Sequence, residues 1–97
     1  MAVYVDEIRR WWWARPPFHK GSCHLTADTE GELHELAARI GLRRWWFQPR
    51  SHPHYDLTPE LREIALAAGA RFVSSRVQAR LRRSERLSAT QNRCFDA

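Results

Sequence analysis

The sequence predicts a small single-domain α/β fold, in which two to three helices flank a mainly parallel or mixed four-stranded sheet. Short apolar or alternating segments, typical of strands, recur between helical segments of about ten residues. Two of the helical segments begin after a threonine and end at a glycine, as capped helices do. The chain has 97 residues, which suits one domain with one core.

Four segments have the pattern of strands. Val3–Val5 combines β-branched and aromatic residues, and Ser22–Ala27 alternates so that His24 shares one face with the polar residues beside it. His54–Leu57 and Ala70–Ser74 are short segments of the same kind. Because helices separate most of these strands, we expect right-handed crossovers and a largely parallel sheet.

Three segments have the pattern of helices. Thr29 opens a capping box for a helix over residues 30–40, and Thr58 caps a second helix that ends at Gly69. A third, basic helix is predicted over 75–87. Its expected apolar anchors are Val77, Leu81 and Leu87.

The net charge of +5 is placed unevenly. Residues 1–70 carry nine Lys/Arg and nine Asp/Glu, whereas residues 71–97 carry seven arginines against two acidic residues. We therefore divide the chain into an α/β domain, 1–75, and a basic helix with a loose tail, 76–97. Such a segment favours a polyanionic partner, with a solvated surface helix as the open alternative. The arginines expected to attract a phosphate backbone are Arg80, Arg82, Arg83 and Arg86.

The sequence indicates a cytoplasmic protein without a membrane partner. The longest apolar stretch, Ile64–Ala70, is far shorter than the roughly 20 residues of a spanning helix. The first residues lead directly into acidic ones, unlike a secretory signal. Cys23 and Cys94 are too few for a disulfide framework, so we expect reduced thiols, with Cys23 buried.

Acidic residues follow or end three of the predicted strands. If the sheet is mostly parallel, Asp6, Asp28 and Asp56 converge at the carboxyl edge of the sheet, where open α/β sheets bind ligands. With His24 and His54 they could hold Mg²⁺, Mn²⁺ or Zn²⁺. Such a metal activates water for phosphoryl chemistry, and the residues expected to act catalytically are Asp6, Asp28, His54 and Asp56.

Structural roles for the same residues stay open. Asp28 suits an Asx turn or helix cap, and His54 suits a hydrogen bond across the sheet. The sequence has no glycine-rich phosphate loop and no nucleophile elbow, so we expect neither a nucleotide cofactor nor covalent catalysis. Whether the protein is an enzyme stays open.

All five tryptophans lie in two segments in which paired arginines precede aromatic residues, 9–13 and 43–47. Three consecutive side chains cannot all point inward, so at least one ring of the first segment should be exposed. The second segment should contribute at least one core ring. Exposed rings beside guanidinium groups suit stacking of nucleic-acid bases. The first-segment residues expected to bind nucleic acid are Arg9, Arg10, Trp11, Trp12 and Trp13.

An ordered set of short motifs spans roughly residues 2–75, at 3–6, 22–28, 32–34, 40–41, 46–48, 54–56 and 67–70. This set resembles a family of small bacterial and phage proteins, domain-of-unknown-function family 4031. The resemblance implies a single cytoplasmic domain, frequently encoded in phages or prophages, and it implies no activity. The first tryptophan run departs from the family pattern, and the basic tail lies outside the segments that match. The polar residues in these motifs include Asp6, His24, Asp28, His54, Tyr55 and Asp56.

The leading hypothesis is a nucleic-acid-associated domain, with a metal-dependent phosphodiesterase or nuclease-like activity. One alternative is a non-enzymatic adaptor or inhibitor that docks on a host protein through exposed tryptophans. Another is a small-molecule or nucleotide binder at the carboxyl edge of the sheet. The oligomeric state is not predicted.

Overall fold

A computed structural model of the chain describes residues 2–10, 13–50 and 52–96, with side chains as far as Glu85. It confirms the predicted fold class, a four-stranded mixed sheet with three helices. The strands are β1 (Val3–Val5), β2 (Cys23–Ala27), β3 (Tyr55–Leu57) and β4 (Arg71–Phe72). The helices are α1 (Glu30–Arg39), α2 (Pro59–Ala67) and α3 (Ser75–Asp96), with 3₁₀ turns at Phe18–Lys20 and Arg44–Trp46.

The strand directions differ from the largely parallel sheet that we expected. The strand order is β3-β2-β1-β4, in which β1–β2 and β2–β3 are antiparallel and only β1–β4 is parallel. In its described residues, 6–10 and 13–22, the connection from β1 to β2 holds a 3₁₀ turn and no α-helix, whereas a parallel crossover usually needs one. A bridge between Arg9 and Ser22 extends the antiparallel pair beyond β1.

The core lies on one face of the sheet. The alternation predicted for the second strand is present, since Cys23 and Leu25 are buried while His24 lies on the opposite face. Tyr55 and Leu57 of β3 complete this apolar face, which packs against α1 and α2. Fully burying an aliphatic side chain contributes about 1.5–3 kcal/mol. Burial raises the pKa of the Cys23 thiol to about 12, as suits a structural cysteine.

Both predicted threonine caps are present. The hydroxyl of Thr29 accepts a hydrogen bond from Glu32 N at 3.2 Å, and that of Thr58 accepts one from Leu61 N at the same distance. Gly69 follows α2 at φ 111°, a left-handed value that favours glycine. The first two helices therefore begin and end close to where the sequence patterns place them.

Helix α3 differs from the expectation in length and in anchoring. It continues to Asp96, through the segment that we expected to be a loose tail. Val77 and Leu81 are 41% and 56% exposed, so they do not anchor the helix. The buried contact is made by Gln78, which accepts a hydrogen bond from the Thr26 hydroxyl at 2.6 Å and donates one to Val73 O at 2.7 Å. None of the helices in the described part of the chain has the length and hydropathy of a membrane span.

Candidate metal centre

Polar side chains form a row across three strands, on the sheet face opposite α1 and α2. In the register of β2 and β3, His24 lies directly opposite Asp56. Asp6 follows β1 and lies next to His24 on the other side, because Val5 pairs with Leu25. His54 precedes Asp56 by two positions and so shares its face. The antiparallel register thus places two imidazoles and two carboxylates together.

Asp6 holds His24 from behind. This buried carboxylate accepts hydrogen bonds from the backbone N–H of His24 at 2.6 Å and from its ring Nδ1 at 2.8 Å. Because a carboxylate only accepts, Nδ1 carries the proton and the lone pair of the neutral ring is on Nε2. The hydrogen bond to Asp6 raises the pKa of His24, against the lowering effect of burial.

The other two members of the cluster are oriented in the same way. His54 Nδ1 donates to the backbone carbonyl of His52 at 2.9 Å, which leaves the Nε2 lone pair of His54 on the far side of the ring. The side-chain amide of Gln48 donates to Oδ2 of Asp56, so Oδ1 faces the imidazoles. Each of the three side chains therefore has one partner behind it and one donor atom in front.

The three donor atoms are close enough to hold one metal ion. His24, His54 and Asp56 each offer an atom within 4.8 Å of the other two. His24 Nε2 lies 3.9 Å and His54 Nε2 lies 3.6 Å from Asp56 Oδ1. Nitrogen and oxygen ligands about 2.0–2.2 Å from a tetrahedral zinc ion lie roughly 3.3–3.6 Å apart. The two nitrogen–oxygen separations are close to that geometry, but the three atoms as a set lie only within 4.8 Å of one another, so the two imidazoles would have to approach each other to hold one ion.

His52 flanks the cluster without joining it. Its ring stacks on His54 with centroids 4.9 Å apart and an interplanar angle of 29°, and it lies 6.0 Å from the His24 ring. Burial and the nearby Arg82 guanidinium lower the pKa of His52. The His52 ring thus lies against one side of the cluster.

Asp28 does not join the other aspartates, so the predicted convergence of three carboxylates is wrong for this residue. Because β1 and β2 are antiparallel, the end of β2 lies beside the start of β1. Asp28 Oδ2 accepts a hydrogen bond from Ala2 N at 2.9 Å, and Oδ1 accepts one from the Tyr4 hydroxyl at 2.8 Å. The structure thus places Asp28 in a local bonding role at the other end of the sheet.

The cluster opens into a cleft of about 600 Å³. His24, His54 and Asp56 form its polar floor, and the segment after the first tryptophan block forms a wall. That wall includes the exposed residue Arg15, which adds a positive charge to the lining of the cleft. The remaining lining residues are Trp13, Ala14, Pro16, Phe18, Ser22 and Gln48.

The residues predicted to bind nucleic acid lie in different settings. Arg9 pairs with Glu7 at 2.9 Å and bonds Ser75, so it is tied to the start of α3. Trp13 is 62% exposed, which confirms that at least one ring of the first block faces solvent. Trp11 and Trp12 lie outside the described residues, as does the side chain of Arg86. Arg10, Arg80 and Arg83 are exposed, and Arg82 is half-buried.

Two contributors to the centre were not predicted as site residues. Gln48 orients Asp56, and the carbonyl of His52 orients His54. No spacing pattern marks either residue as a partner of the cluster, although Gln48 belongs to a segment that carries the family resemblance.

Fold and cluster together define a small mixed α/β domain with a candidate His₂Asp metal centre on its polar sheet face. The model of the family described as "Protein of unknown function (DUF4031)" matches residues 3–85, and the chain belongs to this family. The match includes β1 to β4 and extends into α3. Comparison with curated proteins and with solved structures finds no match.

Proposed function

We propose that this protein is a metal-dependent phosphodiester hydrolase whose metal is held by His24, His54 and Asp56. The observation that carries the proposal is the orientation of these three side chains. Both imidazoles turn an Nε2 atom towards the same carboxylate oxygen, and a partner behind each ring holds the proton on Nδ1. Histidine metal ligands in proteins are usually fixed by such partners.

The electrostatics of the cluster favour a cation. Two ring lone pairs and a carboxylate oxygen repel one another unless a proton or a metal ion lies between them. The hydrogen bond to Asp6, together with the carboxylates of Asp6 and Asp56 on the two sides of His24, raises the pKa of His24, so these groups also favour positive charge. Two nitrogen donors with one oxygen donor suit Zn²⁺ better than Mg²⁺, which prefers oxygen ligands only.

Three protein ligands leave a coordination position for water, as in catalytic zinc sites. A metal ion there lowers the pKa of bound water and stabilises negative charge on a phosphoryl oxygen. Arg15 in the wall of the cleft supplies a second positive charge for the phosphate. In the hydrolysis, the water oxygen would bond to phosphorus while the bond from phosphorus to the leaving oxygen breaks, and the leaving oxygen would take up a proton that the water has lost.

Nucleic acid is the phosphodiester that the charge distribution favours. The net charge is +5, and α3 displays Arg80 and Arg83 on its surface. Binding through such contacts weakens with salt, by about 0.9 log units per log unit of salt for each phosphate neutralised on duplex DNA. A salt-independent affinity for oligonucleotides would contradict this part of the proposal.

The metal centre is tested with a matched pair of carboxylate-to-amide variants. Chelator-treated protein is titrated calorimetrically with Zn²⁺ and Mn²⁺, and hydrolysis of bis(4-nitrophenyl) phosphate is then measured. We expect Asp56→Asn to abolish both, because it removes one of the three ligands. Asp28→Asn, at the other end of the sheet, should retain both. Equal metal binding by the two variants would overturn the proposed site.

The exposed tryptophans support a second candidate function, that of an adaptor or inhibitor that docks on another protein. For a phage-encoded chain, that partner would be a protein of the host. Trp13 and Trp45 are 62% and 73% exposed. This candidate requires no metal, so the zinc titration separates it from the hydrolase.

A small-molecule binder is the third candidate, since the cleft of about 600 Å³ is large enough for such a ligand. Phage or prophage origin and a cytoplasmic location stay predictions.

A further inference from the structure

We propose that an aromatic groove beside the candidate metal centre binds one unstacked base of single-stranded nucleic acid. The groove has a volume of about 440 Å³ and is lined mainly by Phe18, Trp45, Trp46 and Phe47. The assignment of the metal-centre cleft to phosphate rests on the proposed function. Recognition of the substrate through its bases is a separate inference, and it is drawn from the aromatic groove.

The groove is built so that its tryptophans stay outside the core. Phe47 packs edge-on to His34 with centroids 4.5 Å apart and lies 5.6 Å from the Tyr55 ring. This contact supplies the core ring expected from the second block and holds the 3₁₀ turn before it. Trp45 and Trp46 in that turn are 73% and 46% exposed. Large rings held on a fixed support and left in water are typical of a stacking surface.

The groove and the metal-centre cleft share a wall. Phe18, Gln48 and Asp56 line both cavities. A nucleotide with its base in the groove would therefore carry its phosphate towards the cluster of His24, His54 and Asp56. Gln48 lies at the junction and already donates its side-chain amide to Asp56.

Charge at the groove suits a nucleotide. The Arg43 guanidinium lies 5.2 Å from the centroid of Trp45, an arrangement that rigidifies the ring and adds positive charge beside it. Arg44 follows in the same turn and is exposed. Among the described residues that line the groove, Asp56 is the sole carboxylate, and it belongs to the candidate metal centre. An apolar side chain of a protein partner would gain no binding energy from the two arginines beside the groove.

The geometry also selects single strands. In a duplex both faces of each base are covered by its neighbours, so a ring of the protein can stack only on a base that has left the helix. Stacking on an aromatic side chain is worth about 1–3 kcal/mol per base and tolerates any sequence. We therefore expect weak sequence preference and a clear preference for single-stranded over double-stranded substrate.

The groove is tested by binding measured without metal. Chelator-treated protein is titrated at constant salt against labelled dT10, an abasic strand of equal length and a duplex, with fluorescence anisotropy as the readout. We expect Trp45→Ala to weaken dT10 binding about 5- to 150-fold, which is the stacking energy converted at about 1.4 kcal/mol per tenfold. Trp45→Phe should retain most of the affinity. Phe72→Ala, at an aromatic ring that is 54% exposed and does not line the groove, should retain all of it.

The abasic strand should bind wild-type protein and Trp45→Ala equally. Base binding in the groove would be contradicted if Trp45→Ala bound dT10 as tightly as wild type does, or if wild type bound dT10 and the abasic strand equally. The exposed tryptophans would then be interpreted as a contact surface for a protein partner. Zinc binding by Trp45→Ala reports on the metal centre alone. If Trp45→Ala lost affinity for dT10 while neither wild-type protein nor this variant bound zinc, the base-binding groove would be supported and the hydrolase would be rejected.

Discussion

His24 and Asp56 face each other directly across the antiparallel pair of β2 and β3. On its other side, His24 donates its Nδ1 proton to the buried carboxylate of Asp6 at 2.8 Å. The imidazole thus lies between two carboxylates, of which one fixes its orientation and the other offers an oxygen next to the free Nε2. Asp6, which the sequence suggested as a ligand, is therefore better placed as a positioning residue.

The first prediction concerns Asp6→Asn. An amide oxygen replaces only one of the two acceptors that hold His24, so the ring loses its charged partner and its fixed tautomer. We expect zinc affinity to fall about 10- to 100-fold, as for other partners behind metal-binding histidines. The pKa of His24 in the metal-free protein should fall as well, because the hydrogen bond to Asp6 is what raises it.

Zinc affinity is measured by competition with a chromophoric chelator, and the His24 pKa by NMR titration. Thermal unfolding confirms that the variant is folded. Undiminished zinc affinity together with a lowered His24 pKa would show that the orientation of this ring does not matter for the metal.

Local patterns predicted the elements of this fold well. The alternation over Ser22–Ala27 correctly placed His24 on the polar face, and Thr29 and Thr58 cap their helices as expected. The direction of the strands was harder to predict from the sequence, because it depends on the connections and on long-range pairing and not on neighbouring residues. The signal that could have indicated it was the absence of a helical pattern between β1 and β2.

That one difference in direction decided the candidate site. Antiparallel pairing brought Asp6 to His24 and separated Asp6 from Asp28. The contact of Gln48 with Asp56 depends on a bridge between Gln48 and His54, which lie six residues apart on either side of a loop. Neither arrangement has a local periodicity that a sequence could reveal.

The second prediction concerns the pH dependence of stability at Glu7. Its carboxylate accepts hydrogen bonds from the Ser75 hydroxyl and, at 2.9 Å, from Ser75 N, at the start of α3. These bonds lower the pKa of Glu7 from its ordinary 4.5 to about 2. The contribution of ionised Glu7 to the free energy of unfolding is therefore fully present above about pH 4.5, and it is lost as the pH falls towards 2.

We expect Glu7→Gln to cost about 1 kcal/mol at pH 7, as for loss of a helix cap, and the difference from wild type to shrink below pH 4. Urea unfolding at several pH values measures this. Glu35→Gln, at an exposed position of α1 where the carboxylate pairs with Arg39 of the same helix, is the matched control and should change little at any pH. A pH-independent difference at Glu7 would contradict the assigned cause.

The third prediction concerns the contact that docks α3. Gln78→Ala leaves the buried Thr26 hydroxyl without its acceptor, and an unsatisfied buried group costs about 1–3 kcal/mol. Val77→Ala, at the exposed neighbouring position, should change stability by less than about 0.5 kcal/mol. Chemical denaturation of both variants provides the comparison. If Val77→Ala were the more damaging, the apolar anchoring first expected from the sequence would be the correct account of this helix.

The last prediction concerns Gly21, which lies between the wall of the cleft and β2. Its φ of 124° is in the region that L residues rarely adopt, and an added Cβ would lie 2.7 Å from Ile8 Cγ2. Gly69 has a similar φ of 111° but open space around it, so Gly69→Ala isolates the backbone cost, roughly 1–3 kcal/mol. We expect Gly21→Ala to cost about a further 1–3 kcal/mol from crowding. Urea midpoints of the two variants decide this, and equal losses would show that the Ile8 side chain moves aside freely.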